Sequence, residues 1–550
     1  MAQGSPIFAG LLASLSTWFG SYAPGWMRGG GLGSDSPRRV YGYDAGRVTR
    51  GDLDFRPSAK GPNLLADETL DMVKRRVRHL CDNNPLLIGV RNTIRNNVVG
   101  TGIGLQANTP WTDLNTIINE KWKERCKAVN TARDQSMAMA QEAFFNEVFS
   151  AGEVVRHFPV APAYGDHGEG PVIDLIDCDR LPLQGYGPWT MKESNPATGN
   201  MVRQSVEIDG LGRRVAYHVL IESPVDGAFG KNSMQTRRLS AMEAKLCFIP
   251  RRLNQIRGVP WAVGSVAATR MEDAFHEAYF LMARAAACVG GVVIEGVDDE
   301  DLLGSDGERE GALVDSAGNP IKRIEPGIIG FIPKGAEVKT IGAQALSPAI
   351  EQVERILQRR IASAMNISYA AVARDFSQAT FAATRAEQLE DRKQYRPVQV
   401  FIFDELARPY FERWLAWEIA VGGITLTAEQ QAVYTMDKSR VLACAPIYPG
   451  WDWVNPQQQA AAAEIELRIG MVSPQTLMEE KGRDWKVETT RKLEHEKFVR
   501  EERERLGLPE ASPAPAAAAN PANPAKTPPA EDGEDDDEKK KTDESARRAA

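Results

Sequence analysis

Two long helical segments separated by a β-rich insert constrain this chain more than any other feature. The first covers the 27 residues 262–288, which predicts a helix about 40 Å long at ~1.5 Å per residue. The second is predicted over residues 348–365, and the insert between them is rich in β-branched residues, glycine and charge. Both are too polar to span a bilayer. The pattern predicts two helices that lead out to a small β module and back, which suits a mechanical part better than an enzyme.

The two predicted helices differ in the surfaces that they offer. The first is crowded with alanine on more than one side, so helices could approach it closely, and copies packed around a ring would cover it. The second has an apolar stripe, and its basic residues Arg355, Arg359 and Arg360 lie off that stripe. The alternative is two core helices of a large monomer with ordinary solvated arginines. The stripe consists of Ile350, Val353, Leu357 and Ile361.

Size and charge exclude few classes of protein. With 550 residues, the chain exceeds one hydrophobic core and predicts several domains. The net charge of -8 disfavours a uniformly basic nucleic-acid binder. From Gly507 onward, ten acids against six bases supply about half of that charge. A weakly acidic protein could still surround DNA if the DNA has to slide through it. Many contacts to the phosphates would hold the DNA in place and prevent sliding.

Composition and periodicity divide the rest of the chain. Residues 20–66 are rich in Gly, Ser, Pro and Arg, which predicts a flexible or lightly ordered arm. Residues 67–150 have helical apolar spacing, and 152–250 contain apolar or alternating runs that predict strands. Helical segments punctuated by Pro397 and Pro409 follow the second long helix. From residue 508 a Pro/Ala-rich and then acidic run is predicted to be disordered.

The first twenty residues look superficially like a signal peptide but lack a basic n-region. Their large apolar residues cluster on one helical face, which favours an amphipathic arm that docks on a partner over a secretion signal. Disorder is the remaining possibility. The clustered residues are Ile7, Phe8, Leu11, Leu12, Leu15, Trp18 and Phe19.

The sequence offers no catalytic, metal or cofactor site. Six cysteines and six histidines are scattered singly, so buried thiols in a reducing compartment are expected. The glycines of 100–104 follow a helix and lack the Lys-Ser/Thr of a phosphate loop, which predicts a turn. Ser265 is not in a nucleophile elbow. The acidic tract 298–301 is more typical of a solvated loop than of a cation site. The aromatic residues Tyr410, Phe411, Trp414 and Trp417 have core-like helical spacing.

Several motifs resemble the lambda-type portal proteins of tailed phages. The most specific is RRIASAMNISYAAVARDFSQATFAATRAE (359–387). QIRGVPW (255–261) stands directly before the first long helix, and IEPGIIGFIPKGAEV (324–338) leads into the second. RNTIRNNVVGTGIGLQ (91–106) and residues 453–485 are similar too, so the resemblance covers roughly residues 40–507 in the same order. Residues 373 and 374 and the extreme termini depart from the family's pattern.

The resemblance implies an α+β portal fold with an α/β wing, a two-helix stem, a small β-containing clip and a helical crown. It would assign an N-terminal arm to 1–66, the wing to 67–261, and the stem to 262–289 with 347–366. The clip would be 290–346, the tunnel loop 367–385, the wing and crown helices 386–507, and the tail 508–550.

The resemblance also implies partners and function. Portal proteins form a ring, typically of twelve copies, at one capsid vertex of the virion, and double-stranded DNA passes through the axial channel during packaging and ejection. Terminase, whose large subunit supplies the ATPase, docks on the portal, as do head-completion or tail adaptor proteins; major capsid and scaffold proteins surround it during assembly in the host cytoplasm. The chain itself would be no enzyme.

Residues Arg374, Gln378 and Arg385 are the candidates for proximity to DNA in that channel, and hydrogen bonding between subunits is the alternative for each. A membrane-associated pore or adaptor that uses the N-terminal arm is the alternative function.

Overall fold

The computed structural model describes nine stretches of the chain. They are residues 59–163, 168–183, 193–195, 197–224, 235–295, 328–333, 349–377, 380–451 and 456–507. Only the backbone is described for residues 285–295, 328–333, 349 and 381. The predicted N-terminal arm up to residue 58, the tail from 508 and most of the predicted clip therefore lie outside the described residues.

Prolines open the first two described helices. Helix α1 spans Pro62–Asn83 and α2 spans Pro85–Val98. Proline fits the first helical position because the N–H that it lacks would be unpaired there. Asn84 caps α2, since its side chain accepts a hydrogen bond from the Leu87 amide at 2.8 Å. The helical zone begins at Pro62 rather than at the predicted Asp67, because Pro62 provides the start signal.

A glycine turn ends α2, as the sequence predicts. Gly100 has a φ of +52° and Gly102 a φ of +109°, a conformation that favours glycine. Strand β1 (Gly104–Ala107) follows, and helices α3 (Thr112–Arg125) and α4 (Met137–Ser150) complete the helical zone. Strand β1 was not predicted, because its pairing partner lies more than three hundred residues away in sequence.

Antiparallel strands follow the helical zone. A three-stranded sheet has the order β11–β2–β5, a five-stranded sheet has the order β10–β9–β8–β7–β6, and β3 pairs with β4. The four predicted apolar runs contain strands, whereas β6, β7, β8 and β10 were missed because they are short or polar. The strands are β2 (Glu153–His157), β3 (Val160–Ala161), β4 (Gly170–Pro171), β5 (Asp174–Ile176), β6 (Glu193–Ser194), β7 (Met201–Arg203), β8 (Val206–Ile208), β9 (Arg214–Leu220), β10 (Thr236–Ser240) and β11 (Ala244–Phe248).

Two long helices with strands between them are present, as predicted. A 3₁₀ turn at Trp261–Gly264 precedes α5 (Val266–Cys288), so the α-helix starts four residues later than predicted. Strand β12 (Val289–Glu295) leaves α5 directly and pairs in parallel with β13 (Ile328–Pro333). Helix α6 (Ala349–Met365) then returns along α5.

The chain after α6 is mostly helical. Helix α7 (Tyr369–Ala373) and α8 (Phe381–Ile402) are followed by a π-helical turn at Phe403–Ala407 and by α9 (Arg408–Ala420). Pro397 lies inside α8, so the predicted break there is wrong. The loss of one backbone hydrogen bond is offset because α8 buries Tyr395, Val398 and Ile402 in the core around it.

Shorter elements complete the described chain. Strand β14 pairs antiparallel with β1 and so joins both ends of the fold. Helices α13 and α14 bury no residue. The elements are α10 (Ala428–Met436), α11 (Lys438–Val441), β14 (Cys444–Ile447), α12 (Pro456–Arg468), α13 (Pro474–Glu480) and α14 (Trp485–Arg505).

One large apolar core joins the N-terminal helices to those after the insert. In it, the ring of Trp122 meets that of Phe411 edge to face, with centroids 5.1 Å apart. Tyr410, Phe411 and Trp414 are buried there, as their spacing predicts. A smaller core lies between strands of the two larger sheets. The α+β fold class is therefore confirmed.

Candidate functional site

The QIRGVPW segment forms a buried junction with the chain entering strand β2. A Cβ placed on Gly258 would lie 2.2 Å from the Gly152 carbonyl oxygen. Gly152 has a φ of +88°, and a Cβ there would lie 2.3 Å from the carbonyl carbon of Val259. Two backbones thus cross at a distance that only glycine at both positions permits.

Arg257 fills this junction with a guanidinium that has no exposed surface. Its Nε lies 2.9 and 3.0 Å from the two carboxylate oxygens of Glu153, and its Nη2 lies 2.6 Å from Oε1. The remaining donors reach the backbone carbonyls of Leu181, Gln204 and Cys178. A buried charge is stable only when it is paired and hydrogen-bonded in this way.

Glu153 is held by a second cation as well. Lys74 Nζ lies 2.8 Å from its Oε1, and the Gly258 amide donates to Oε2 at 2.6 Å. Burial alone would raise the pKa of Glu153, but Arg257 and Lys74 lower it to about 2. We call Lys74, Glu153 and Arg257 the junction cluster. It fastens α1 and β2 to the segment that leads into α5.

A second ionic group lies beside the junction cluster. Arg78 Nη2 contacts Glu147 at 2.7 Å and Asp177 at 2.9 Å, and its Nη1 pairs with Asp179. Burial raises the pKa of Glu147 to about 7, against the opposing effect of Arg78. This second group links α1 to α4 and to the turn at residues 177–179.

Helices α5 and α6 are buried at their junction ends and exposed further out. Thr269 is fully buried, whereas Met271, Phe280, Leu281 and Met282 of α5 are exposed. The predicted stripe of α6 is buried at Leu357 and Ile361 only; Ile350 is half-buried and Val353 is 41% exposed. Ile356 is also exposed. The first half of the stripe is open because α6 packs mainly on α5 there, and one helix cannot cover it.

Arg355, Arg359 and Arg360 of α6 lie off the buried part of the stripe. Arg355 Nη2 contacts Glu351 at 2.6 Å and Asp375 at 3.7 Å. The guanidinium of Arg359 lies 5.6 Å from the centre of the Tyr369 ring. Arg359 and Arg360 are exposed.

The segment predicted as a tunnel loop is only partly a loop. After α7, the described non-helical residues of this segment are 374–377 and 380. Ser368 caps the start of α7, and Thr380 caps the start of α8. Ser368 Oγ accepts from the Ala371 amide at 3.2 Å, and Thr380 Oγ1 accepts from the Ala383 amide at 3.3 Å. Sequence spacing missed these caps, although Ser and Thr are common at such positions.

The DNA candidates fall in different settings. Arg374 ends α7 in the left-handed region, with a φ of +54°, and its Nη2 lies 3.5 Å from Thr93 Oγ1 of α2. Arg385 is half-buried on α8. Gln378 lies outside the described residues.

Hydrogen bonds fasten the end of α6 and the following segment to their neighbours. Asp391 of α8 accepts from the Ser368 amide and hydroxyl, both at 2.7 Å. Burial raises the pKa of Asp391, and the hydrogen bonds from Ser368 oppose this. Asp375 accepts from the Ser377 amide at 3.0 Å, and the bonds from Ser377 hold the pKa of Asp375 below its usual range.

Sequence reasoning missed the junction cluster and Asp391. The position of Glu153 could have indicated the cluster. Glu153 follows a glycine and starts an apolar run that is predicted as a strand, and an acid buried there needs a partner. Lys74 lies on a helix with many exposed charges, and nothing in its spacing marks it as buried.

The candidates for chemistry behave as structural residues. Ser265 is fully buried, and its hydroxyl donates to the Ala262 carbonyl at 2.9 Å. The five cysteines with described side chains are free; Cys81, Cys178 and Cys247 are buried. The acidic tract 298–301 lies outside the described residues. Of the described helices, none combines the length and apolar character that a bilayer span requires.

Comparison with known proteins places this architecture in a family. Residues 49–399, more than half of the chain, match the family described as "Phage portal protein, lambda family". The chain therefore belongs to the lambda family of phage portal proteins, a structural rather than an enzymatic family.

A curated relative carries the same description. The chain is 27% identical over 290 residues to a "Probable portal protein" of Halomonas phage phiHAP-1. The alignment covers 52% of this chain and 54% of the relative, so the chain spans about half the length of the curated relative it matches.

Solved structures of gene transfer agent (GTA) particles show a weak likeness. "Neck of empty GTA particle computed with C6 symmetry" is 12% identical, with a TM-score of 0.37, and the match covers 78% of this chain and 95% of that one. "Neck of native GTA particle computed with C12 symmetry" is 12% identical, with a TM-score of 0.33, over 74% of this chain and 94% of that one.

Proposed function

We propose that this chain is the portal subunit of a phage virion and assembles into a ring, typically of twelve copies, at a single capsid vertex. Double-stranded DNA passes through the axial channel during packaging and ejection. The terminase large subunit and head-completion or tail adaptor proteins dock on the ring. Major capsid and scaffold proteins surround it during assembly in the host cytoplasm. The chain catalyses no reaction itself.

The parts of the subunit follow from the predicted segments. In this proposal residues 67–261 are the wing, α5 and α6 form the stem, and the insert 290–346 is the clip that meets terminase. Residues 367–385 face the channel, and 386–507 supply further wing and crown helices. The junction cluster supports this assignment, because a stem that carries load needs a stiff connection to the wing.

Exposed apolar side chains on more than one side of α5 carry the proposal of a ring. Met271, Phe280, Leu281 and Met282 are exposed on one helix, and Val353 and Ile356 add to this surface from α6. Several large apolar side chains exposed on one helix pair favour contact with other proteins. A ring can cover such side chains on two sides of every subunit, because each copy packs against two identical neighbours.

Native mass spectrometry and negative-stain images of the purified chain test the ring. Phe280→Asp combined with Leu281→Asp is expected to abolish it, because charges would be buried between subunits. Met242→Asp is the matched control, since Met242 is an exposed methionine in a turn of the sheet region. A stable monomer of the unaltered chain in all salt concentrations, or rings that persist in the double variant, would contradict the proposal.

Contact with DNA is assigned to Arg374, Gln378 and Arg385, with the stem arginines Arg355, Arg359 and Arg360 as further candidates. The weakly acidic chain suits sliding, because each phosphate that a basic residue neutralises adds affinity and friction. A channel wall with few basic residues would let DNA pass. A continuous, strongly basic wall would overturn this explanation.

Packaging assays in a complemented phage test the residues. Arg374→Ala and Arg385→Ala are expected to assemble normally but to change the amount of DNA packaged. Arg213→Ala is the control, because Arg213 is exposed in the loop between β8 and β9. If both variants package like the control, these two residues do not act on DNA.

A further inference from the structure

Three potential metal ligands meet between the two long helices. Glu272 and His276 are one turn apart on α5, and Glu354 faces them from α6. His276 Nε2 lies 3.0 Å from Glu272 Oε1 and 3.6 Å from Glu354 Oε1. The three ligand atoms all lie within 4.8 Å of one another.

We propose that Glu272, His276 and Glu354 bind a divalent transition-metal ion, with Zn²⁺ as the representative ion. Nitrogen and oxygen ligands lie about 2.0–2.2 Å from Zn²⁺, so neighbouring ligands of a tetrahedral site are about 3.4 Å apart. Both observed ligand distances are close to this value. Imidazole combined with carboxylates is a donor set that Zn²⁺ accepts.

The charge at this place favours a cation. Within the described part of the chain, Glu272 and Glu354 form ion pairs with His276 and with no lysine or arginine. A third carboxylate, Asp273, is adjacent and takes a hydrogen bond from Asn84 at 2.6 Å. Glu272 is only 6% exposed. Two carboxylates thus contact one imidazole, and a metal ion would balance this excess of negative charge.

The surroundings resemble those of a built site. Gln358 Nε2 donates to Glu354 Oε1 at 3.0 Å, which orients that carboxylate. The His276 ring stacks on Phe280, with centroids 6.0 Å apart and an angle of 24°. Hydrogen bonds and packing of this kind position the ligands of known metal sites. His276 and Glu354 are each about one-third exposed, so an ion can enter and a water can complete its coordination.

A second group of potential ligands serves as an internal comparison. Glu147, Asp177 and Cys178 also lie within reach of one ion. Arg78, however, already contacts Glu147 and Asp177 and supplies the positive charge there. Among the described residues, no arginine forms an ion pair with Glu272 or Glu354. This distinguishes the group around His276 from the group around Glu147.

The experiment measures Zn²⁺ bound to the full chain after equilibrium dialysis, and the visible absorption of Co²⁺ placed in the same site. One ion per chain is expected. Removing a group that hydrogen-bonds to a metal ligand lowers metal affinity about 10–100-fold, so loss of a direct ligand in His276→Gln or Glu354→Gln should weaken binding by at least about 100-fold. His495→Gln is the control, because His495 is exposed on α14 between two glutamates.

Circular dichroism spectra of all variants should match, so that loss of binding is not loss of folding. Cys178→Ser should leave binding unchanged. Substoichiometric binding to the unaltered chain, or equal affinity in His276→Gln and the control, would overturn the site. Loss of binding in Cys178→Ser alone would place the ion at the other group and overturn it too. This readout does not depend on ring formation.

Discussion

Replacing Arg257 by alanine removes the side chain on which the junction between the sheets and the first long helix depends. The substitution deletes two hydrogen-bonding nitrogens that lie 2.6–3.0 Å from Glu153 and leaves the carbonyls of Leu181, Gln204 and Cys178 without these donors. Glu153 would then keep Lys74 and the Gly258 amide as partners.

The expected loss in the free energy of unfolding is about 3–5 kcal/mol, the range for breaking a buried ion pair by removing one partner. The three carbonyls that lose their donors would increase this loss of stability. Losses at one site are not additive, however, so the expected range stays the same. Urea unfolding of the full chain, followed by circular dichroism, measures this change.

Lys393→Ala is the matched control, because Lys393 pairs with Glu390 on the exposed side of α8 and both side chains are 73% exposed. Exposed pairs contribute little, so its curve should nearly overlay that of the unaltered chain. A loss below about 1 kcal/mol in the free energy of unfolding of Arg257→Ala would refute the reasoning, because removing one partner of a buried ion pair is expected to destabilise the fold more than that.

Three further predictions concern Glu153, Gly258 and the C-terminal tail. The folded-state pKa of Glu153 is lowered from 4.5 to about 2, so the stabilisation that Glu153 provides is full above about pH 4.5 and is lost as the pH falls towards 2. Between these pH values, the free energy of unfolding should therefore depend less on pH in Glu153→Gln than in the unaltered chain. Equal slopes in the two proteins would contradict this. Gly258→Ala should destabilise the chain strongly, since its Cβ would lie 2.2 Å from a carbonyl oxygen, whereas Gly210→Ala, with open space around it, should not; thermal unfolding compares them. Deletion of residues 508–550 should leave the ring intact in native mass spectrometry, and its loss would show that the tail takes part in assembly.

Helical periodicity predicted the long elements well. The two long helices, the glycine turn at Gly100 and the buried aromatic residues of α9 are confirmed, because each depends on local spacing or on a local backbone preference. The break at Pro397 was wrong, because core packing around α8 outweighs one missing hydrogen bond.

Pairings between distant segments could not be predicted. Strand β1 pairs with β14, Lys74 meets Glu153, and Asp391 meets Ser368. None of these partners is near the other in sequence, and a single sequence holds no signal that joins them. The same applies to the exposed half of the α6 stripe, because its covering surface would come from another copy.

The most direct test of the portal proposal is a cryo-electron microscopy reconstruction of the purified full chain. We expect a closed ring in which α5 and α6 of neighbouring subunits pack side by side around a channel, with the exposed residues of α5 covered. A monomer, or a ring in which these two helices lie on the outer surface away from the channel, would contradict the proposal.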